Sequence, residues 1–462
     1  MPDIVIGIIF VIIAFLASLF WLKLKKAGNI LLAMSIISAP WQGGLWIEFM
    51  MLDLRFTYIF LLGAIFLIKS KRKKLTEKLN LPIAITSLAI FVWSLIASNG
   101  CLDYPLALGG SITLLLDFLT FFAVYNAINN EKDVRWVVNA LVFGLFITGG
   151  VAVLQYVIPL FHVGFIDGEF KTFMWWRTRS TFWHANNFGM YLLFLLPIVF
   201  RMVANSIQTK EKSMIKVYVI AFFLGGLSLI TTENRGSWVG LFSGMAVSLA
   251  FDFIRMKNKK AKKVILRVAF SILIVASLGI VRFGGKIYER FYGGYEDVNV
   301  QSKHREELNE IAYEIMARYP LTGVGFWNSR FYADVIFTHN LYLLIPSEVG
   351  FVGVGFFGLQ VLIFLIESIK AQRSKNFFIA HLGSGLLATI IGFIVASFPG
   401  PDYWIMPSVR HHLFILVAIV AALNLYDKKV IKLQSRGNPL SRPMSVNLDN
   451  GNMLAANGMV RN

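Results

Sequence analysis

Apolar residues run along this chain in long blocks, most of them long enough to cross a bilayer hydrocarbon core of about 30 Å as a helix. The blocks lie near 4–22, 28–46, 55–69, 81–99, 106–128, 134–158, 187–203, 216–232, 237–254, 264–282, 340–367, 377–398 and 406–425. Polar and apolar residues do not alternate inside them, which excludes the strands of a membrane barrel. Helices are the remaining way to satisfy a backbone in lipid. The pattern predicts an all-α, polytopic membrane protein of about 12–13 spans. Pro40-Trp41-Gln42-Gly43-Gly44 interrupts the second region, so 29–39 and 45–52 form either a broken helix or a re-entrant segment.

Composition agrees with this pattern. Only 15% of residues are charged and 56% are hydrophobic, against roughly 25% charged in soluble domains. Most of the 44 Lys and Arg residues fall in alternate connections: near Lys23, in 69–78, near Lys132, in 201–216, 255–267 and 370–375, and after Lys428. The positive-inside bias makes these connections cytoplasmic and starts the N-terminus outside. The net charge of +18 is then mainly a topology signal, with some attraction to anionic lipid. No basic, aromatic-interleaved soluble domain is present to bind nucleic acid. Cys101 is the single cysteine, so an intrachain disulfide and a cysteine metal cage are both excluded. The Met-Pro-Asp-Ile start lacks the basic region of a cleaved signal peptide, so the first span is expected to be retained. Residues 1–434 read as one transmembrane domain, and 435–462, polar and rich in Asn, Gly and Pro, as a disordered cytoplasmic tail.

Two exterior loops exceed hairpin length, about 159–186 and 283–338. In the second, 302–319 predicts an amphipathic helix, with Leu308, Ile311, Ala312, Ile315 and Met316 on one face. Pro320 ends it, and Leu321-Thr-Gly323-Val-Gly325 follows as a turn. Such a helix caps a cavity or lies on the membrane surface.

The candidate chemistry sits at the exterior ends of spans, with Asp117 in mid-span as the main exception. Thr232-Glu233-Asn234-Arg235-Gly236-Ser237-Trp238 places a guanidinium between two apolar runs. Arg235 either grips phosphate oxygens with its planar fork or anchors the interface beside Glu233. Arg177 and Arg179, among Trp175, Trp176 and Trp183, are either an aromatic–basic belt or a second arginine site for a diphosphate. His184-Ala185-Asn186-Asn187 opens the next span, where unpaired N–H groups and amides favour anions and hydroxyls. His339, in Thr338-His339-Asn340, is either a helix-start residue or the general base natural to neutral pH. Glu348 falls deeper in the same helix and needs His339 or an arginine as partner. Arg305 is either a solvated contact or a further cation facing the cavity. Asp167-Gly168-Glu169 and Glu296-Asp297 offer weak support for a metal, since exposed acids are usually solvated.

These stretches together resemble the O-antigen ligase/polymerase superfamily. Thr231-Thr232-Glu233-Asn234-Arg235-Gly236-Ser237-Trp238 is similar to its Thr-x-Ser-Arg-Gly-x-Trp segment, with Glu-Asn as the departure. His304-Arg305, Arg318-Tyr319-Pro320, Thr338-His339-Asn340 and Glu348-Val349-Gly350 resemble its large periplasmic loop and the loop's exit. The 179–187 stretch resembles its Arg…Asn segment without the glycine. The resemblance implies a GT-C-like, metal-independent inverting glycosyltransferase of the bacterial inner membrane, needing no cofactor and working on the periplasmic face. It implies that Arg235, Arg179 and Arg305 hold the diphosphate of an undecaprenyl-diphosphate-linked glycan, with Arg177, Asn187 and Glu348 as further substrate-binding candidates. His339 would then activate a hydroxyl of lipid A–core or another glycan acceptor. A polymerase or a protein O-oligosaccharyltransferase shares this chemistry and differs only in acceptor. A polysaccharide transporter is the non-enzymatic alternative, and it predicts repeated halves with helices interrupted near mid-membrane.

Overall fold

The computed structural model describes residues 11–41, 56–68, 81–158, 177–182, 184–255, 295–333, 337–398, 400 and 402–435. The expected span 264–282, the 159–176 part of the first loop with Trp175 and Trp176, Trp183, the 45–52 segment and the tail beyond 435 lie outside them. The described chain is helical: α1 Val11–Trp21, α2 Ala27–Ser38, α3 Phe56–Leu67, α4 Leu81–Ala97, α5 Tyr104–Ala127, α6 Glu131–Val157 and α7 Ala185–Thr209. After these come α8 Lys212–Thr231, α9 Arg235–Arg255, α10 Tyr295–Arg318, α11 Leu341–Gln372, α12 Phe377–Ala396 and α13 Pro407–Ser435. Among the described residues, eight helices are long and apolar enough to cross a membrane, and α1 to α4 are shorter apolar helices. The expected all-α polytopic architecture is thus observed. The differences are at ends: α7 runs to Thr209 and α13 to Ser435, past the expected 203 and 425.

Local chemistry explains where the helices start. Asp103, Asn130, Asn340 and Asn376 each turn a side-chain oxygen onto a first-turn N–H, of Leu106, Asp133, Tyr342 and Phe378. These caps satisfy donors that no helix can satisfy internally. The connections then sort to two ends of the bundle. At one end Thr181 donates to the Pro40 carbonyl, Asp103 N–H to Asn328, and Leu341 N–H to the Ser397 carbonyl. At the other, Arg135 pairs with Glu131 and Glu211, Asn376 reaches Glu131, and Gln372 reaches Asp252.

Helix α13 is buried along nearly all of Pro407–Tyr426 and α7 along most of its length, whereas α8 and α9 bury one side. Small residues set the closest approach. A Cβ on Gly240 of α9 would lie 2.5 Å from the Gly392 carbonyl oxygen of α12, and one on Gly244 would strike the Ala388 carbonyl. Without a hydrophobic drive between helices in lipid, such backbone proximity is a main source of association.

Helix α11 is broken inside the bundle. Pro346 lacks a donor, and Gly350 takes φ +65° and ψ −178°, a conformation open only to glycine. The carbonyls of Ser347 and Glu348 are recaptured by Val324 N–H and Gly325 N–H, both at 2.9 Å. Trp93 Nε1 donates to the Val349 carbonyl at 2.8 Å, and Phe351 N–H turns to the Pro320 carbonyl. The expected 320–325 turn is therefore a wedge fitted into α11, with Gly323 and Gly325 both at positive φ.

Two buried ion pairs depart from the expectation that charge gathers at span ends. Asp117 of α5 pairs with Arg410 of α13 at 2.5 Å, and Arg410 also donates to Thr113 and to the Trp404 carbonyl. Arg201, expected in a cytoplasmic connection, lies inside α7 and pairs with Asp252 of α9 at 2.5 Å. Ser248, Ser384 and Gln372 complete that second network across α9, α12 and α11. Asp117→Leu leaves Arg410 buried and uncompensated, with an expected cost of about 3–5 kcal/mol. The thermal midpoint of the detergent-solubilised protein should fall accordingly, and Asp117→Leu/Arg410→Met should recover most of the loss. A single variant as stable as the parent would show that the pair contributes nothing.

Candidate functional site at three helix N-termini

The N-termini of α7, α9 and α11 meet at the loop-bearing end of the bundle. Asn234, which caps α9 by accepting Ser237 N–H at 3.1 Å, also donates Nδ2 to the Asn186 carbonyl at 3.0 Å. That double duty, with Glu233 at φ +52°, gives the Glu-Asn departure before Arg235 a structural reason. The Leu341 N–H bond to Ser397 ties the start of α11 to the end of α12, which packs on both α7 and α9. Helix N-termini carry partial positive charge, so their convergence favours an anion.

Residues 177–182 are pinned against this junction. Thr178 N–H donates to the Thr231 carbonyl at 3.0 Å, and the two threonine hydroxyls are 2.5 Å apart. Ser180, at φ +54°, exchanges two bonds with Gln155 and donates its hydroxyl to the Thr148 carbonyl. Arg179 is therefore presented from a fixed segment and is half-buried, as are Arg235 and His339.

The remaining expected residues divide. Arg177 is buried, and its guanidinium is built into the scaffold: Nε donates to the Thr232 carbonyl and Nη2 to Asn186 Oδ1, each at 2.7 Å. It thus supplies charge and holds the junction. Asn187 is buried in the first turn of α7, with Nδ2 unpartnered among the described residues, while Asn186 carries the cross-links. Arg305 is exposed on α10. That helix buries Leu308, Ala312 and Ile315 as expected, and Thr338 donates to its Asn309 at 3.1 Å, so α10 is stitched beside His339.

Glu348 requires a correction. Its carboxylate takes neither His339 nor an arginine as hydrogen-bond partner. It accepts from Ser329 Oγ at 2.8 Å and Trp404 Nε1 at 2.7 Å, and it is fully buried. Placed there, it secures the 326–332 turn to the membrane domain.

His184 is the residue whose weight the sequence understated. Its Nδ1 accepts Asn186 N–H at 3.1 Å, which assigns the ring proton to Nε2. Burial first, then the charges of Arg177, His339 and Arg179, hold its pKa well below the ordinary value, at about 4. Those electrostatic neighbours bring both histidines and both loop arginines into one locality. The only sequence signal was a histidine at a helix start.

A histidine held neutral in the fold loses nothing above pH about 6.5, where the unfolded chain is neutral too. Below that the unfolded histidine binds a proton that the folded one refuses, so stability falls as pH drops from about 6.5 toward 4. His184→Asn keeps an acceptor for Asn186 N–H and should flatten part of this acid branch. Thermal midpoints measured across pH 4–8 check it. An unchanged acid slope in His184→Asn would remove this histidine from the account.

No curated protein matches the chain. Residues 220–358 match the family model for O-antigen ligase. The matched stretch holds Arg235, Arg305, His339 and Glu348. Arg177, Arg179, His184 and Asn187 precede it in sequence and join it in space. Over that segment, and by the motifs that recur in it, the chain is similar to the O-antigen ligase family.

Proposed function

We propose that the protein is a membrane glycosyltransferase that moves a glycan from undecaprenyl diphosphate to lipid A–core on the periplasmic face of the inner membrane. The observation that carries this reading is the meeting of three helix N-termini with Arg179, Arg235, His184 and His339, inside and beside the segment that matches O-antigen ligase. Arg235 and Arg179 face the diphosphate, whose negative charge grows as the glycosidic bond breaks. Preorganised guanidiniums and N-termini stabilise that charge without reorganising. His339 takes the proton of the acceptor hydroxyl as its oxygen attacks the anomeric carbon from the face opposite the diphosphate, so configuration inverts. His184, neutral with its proton on Nε2, donates a hydrogen bond rather than a full charge. Exposed Arg305 meets the diphosphate when α10 closes over the site. A polymerase would use the same groups with a glycan acceptor in place of lipid A–core.

Transfer by purified protein in liposomes tests the mechanism. Activity should persist in EDTA, because the arginines supply the charge that a divalent cation would otherwise bring. Arg235→Lys keeps charge and loses the bidentate fork, so its rate should fall nearly as far as in Arg235→Ala, by about 10²–10³. His339→Ala should lose turnover and keep donor binding. Loss of all transfer in EDTA with recovery on Mg²⁺, or near-normal turnover in His339→Ala, would refute the scheme.

A further inference from the structure

Arg330 was singled out by no motif, yet its surroundings are unusual for an arginine. It lies in a single helical turn, Ser329–Tyr332, at the exit of the large loop. The backbone on either side is fixed. Asn328 exchanges hydrogen bonds with both the N–H and the carbonyl of Asp103, and Ser329 is held by Glu348. The guanidinium stands between two aromatic rings, its central carbon 5.0 Å from the Phe331 centroid and 5.8 Å from that of Phe337. Its Nε is buried without a hydrogen-bond partner, and among the described residues the guanidinium makes no ion pair. Phe337 comes two residues before His339, and Thr338 between them is bonded to α10. Arg330 is therefore a half-buried, aromatic-braced cation, with its Nε sealed from water, beside the stretch that delivers the proposed base.

Glu348 feels the charge of Arg330, but that carboxylate already accepts from Ser329, Trp404 and the Trp327 N–H. A guanidinium nitrogen buried without an acceptor is costly to keep, and Nε of Arg330 has none among the described residues. Cation–π contact orients such a group and leaves its N–H edges able to bind. A planar fork in that state suits phosphate oxygens.

We propose that Arg330 is a phosphate-binding residue of this site, closing on the diphosphate of the lipid-linked donor from the side of the large loop. The proposal rests on the glycosyltransferase reading above and adds a cation to it. It gives the loop a direct part in donor recognition through its folded exit turn, in addition to exposed Arg305.

Binding of undecaprenyl diphosphate, without glycan, to the full-length protein in phosphatidylcholine nanodiscs tests the idea. Arg330→Gln should weaken it by about tenfold to a hundredfold, the weight of a hydrogen bond to a charged group. Arg330→Lys should recover only part of that loss. If Arg330 merely balances Glu348, the Arg330→Gln/Glu348→Gln double variant will restore both binding and thermal midpoint, and the proposal falls. A double variant that is folded and still binds weakly supports it. If phosphatidylglycerol competes with the parent protein's binding and loses that ability in Arg330→Gln, the site is one for lipid headgroups, and the diphosphate assignment is overturned. Unchanged binding in Arg330→Gln overturns this inference alone. A parent protein that ignores undecaprenyl diphosphate overturns the glycosyltransferase reading with it.

Discussion

A helix broken in lipid must find new partners for the peptide groups it releases, and much of the site is built on how α11 meets that demand. The break at Gly350 frees the carbonyls of Ser347, Glu348 and Val349, and Val324, Gly325 and Trp93 take them up. The loop therefore cannot be laid over the bundle at will, because its 320–325 turn completes a transmembrane helix. Residues 341–349 become a short segment whose direction is set by the wedge, and His339 stands directly before it. Glu348 extends the same logic through side chains. It joins Ser329 of the loop to Trp404, whose carbonyl receives Arg410, which is paired with Asp117. An uninterrupted polar line thus runs from the middle of α5 to the exit of the loop.

The electrostatics of the site follow from the same economy of backbone groups. Three helices start at one place, and each start leaves N–H groups that only caps, water or a ligand can satisfy. Asn234 and Asn340 spend side chains on capping, and His184 does so with a ring nitrogen. Fixing His184 in this way keeps it uncharged among arginines. A further full positive charge would be repelled there by Arg177 and Arg179, whereas a neutral N–H donor is not.

Span positions, the amphipathic face of α10 and the resemblance over 220–358 were legible because each is a local pattern: a run, a period or a short motif. What was illegible depends on partners distant in sequence. Nothing near Glu348 announces Trp404, and nothing near Arg201 announces Asp252, so one was given His339 or an arginine as partner and the other was placed in a loop. Arg177 and Arg179 look equivalent in sequence. Only the carbonyl of Thr232 and the amide of Asn186 show the first to be a strut. The break in α11 was not read from the sequence, where 340–367 forms one apolar run; its cause is the wedge, some 25 residues upstream along the chain.

The glycine contact between α9 and α12 reaches beyond packing. Gly240 and Gly392 sit backbone to backbone about 7.5 Å, five residues of helical rise, below Arg235. One added carbon there must push the two helices apart, and α9 would carry Arg235 away from His184 and Arg179 with it. Misplacement of a reacting group by about 1 Å is enough to cost on the order of a hundredfold in rate. Mutational sensitivity should therefore not map onto distance from the chemistry: a featureless stretch of helix surface, deep in the apolar slab and with no polar atom to its name, acts as the ruler of the site.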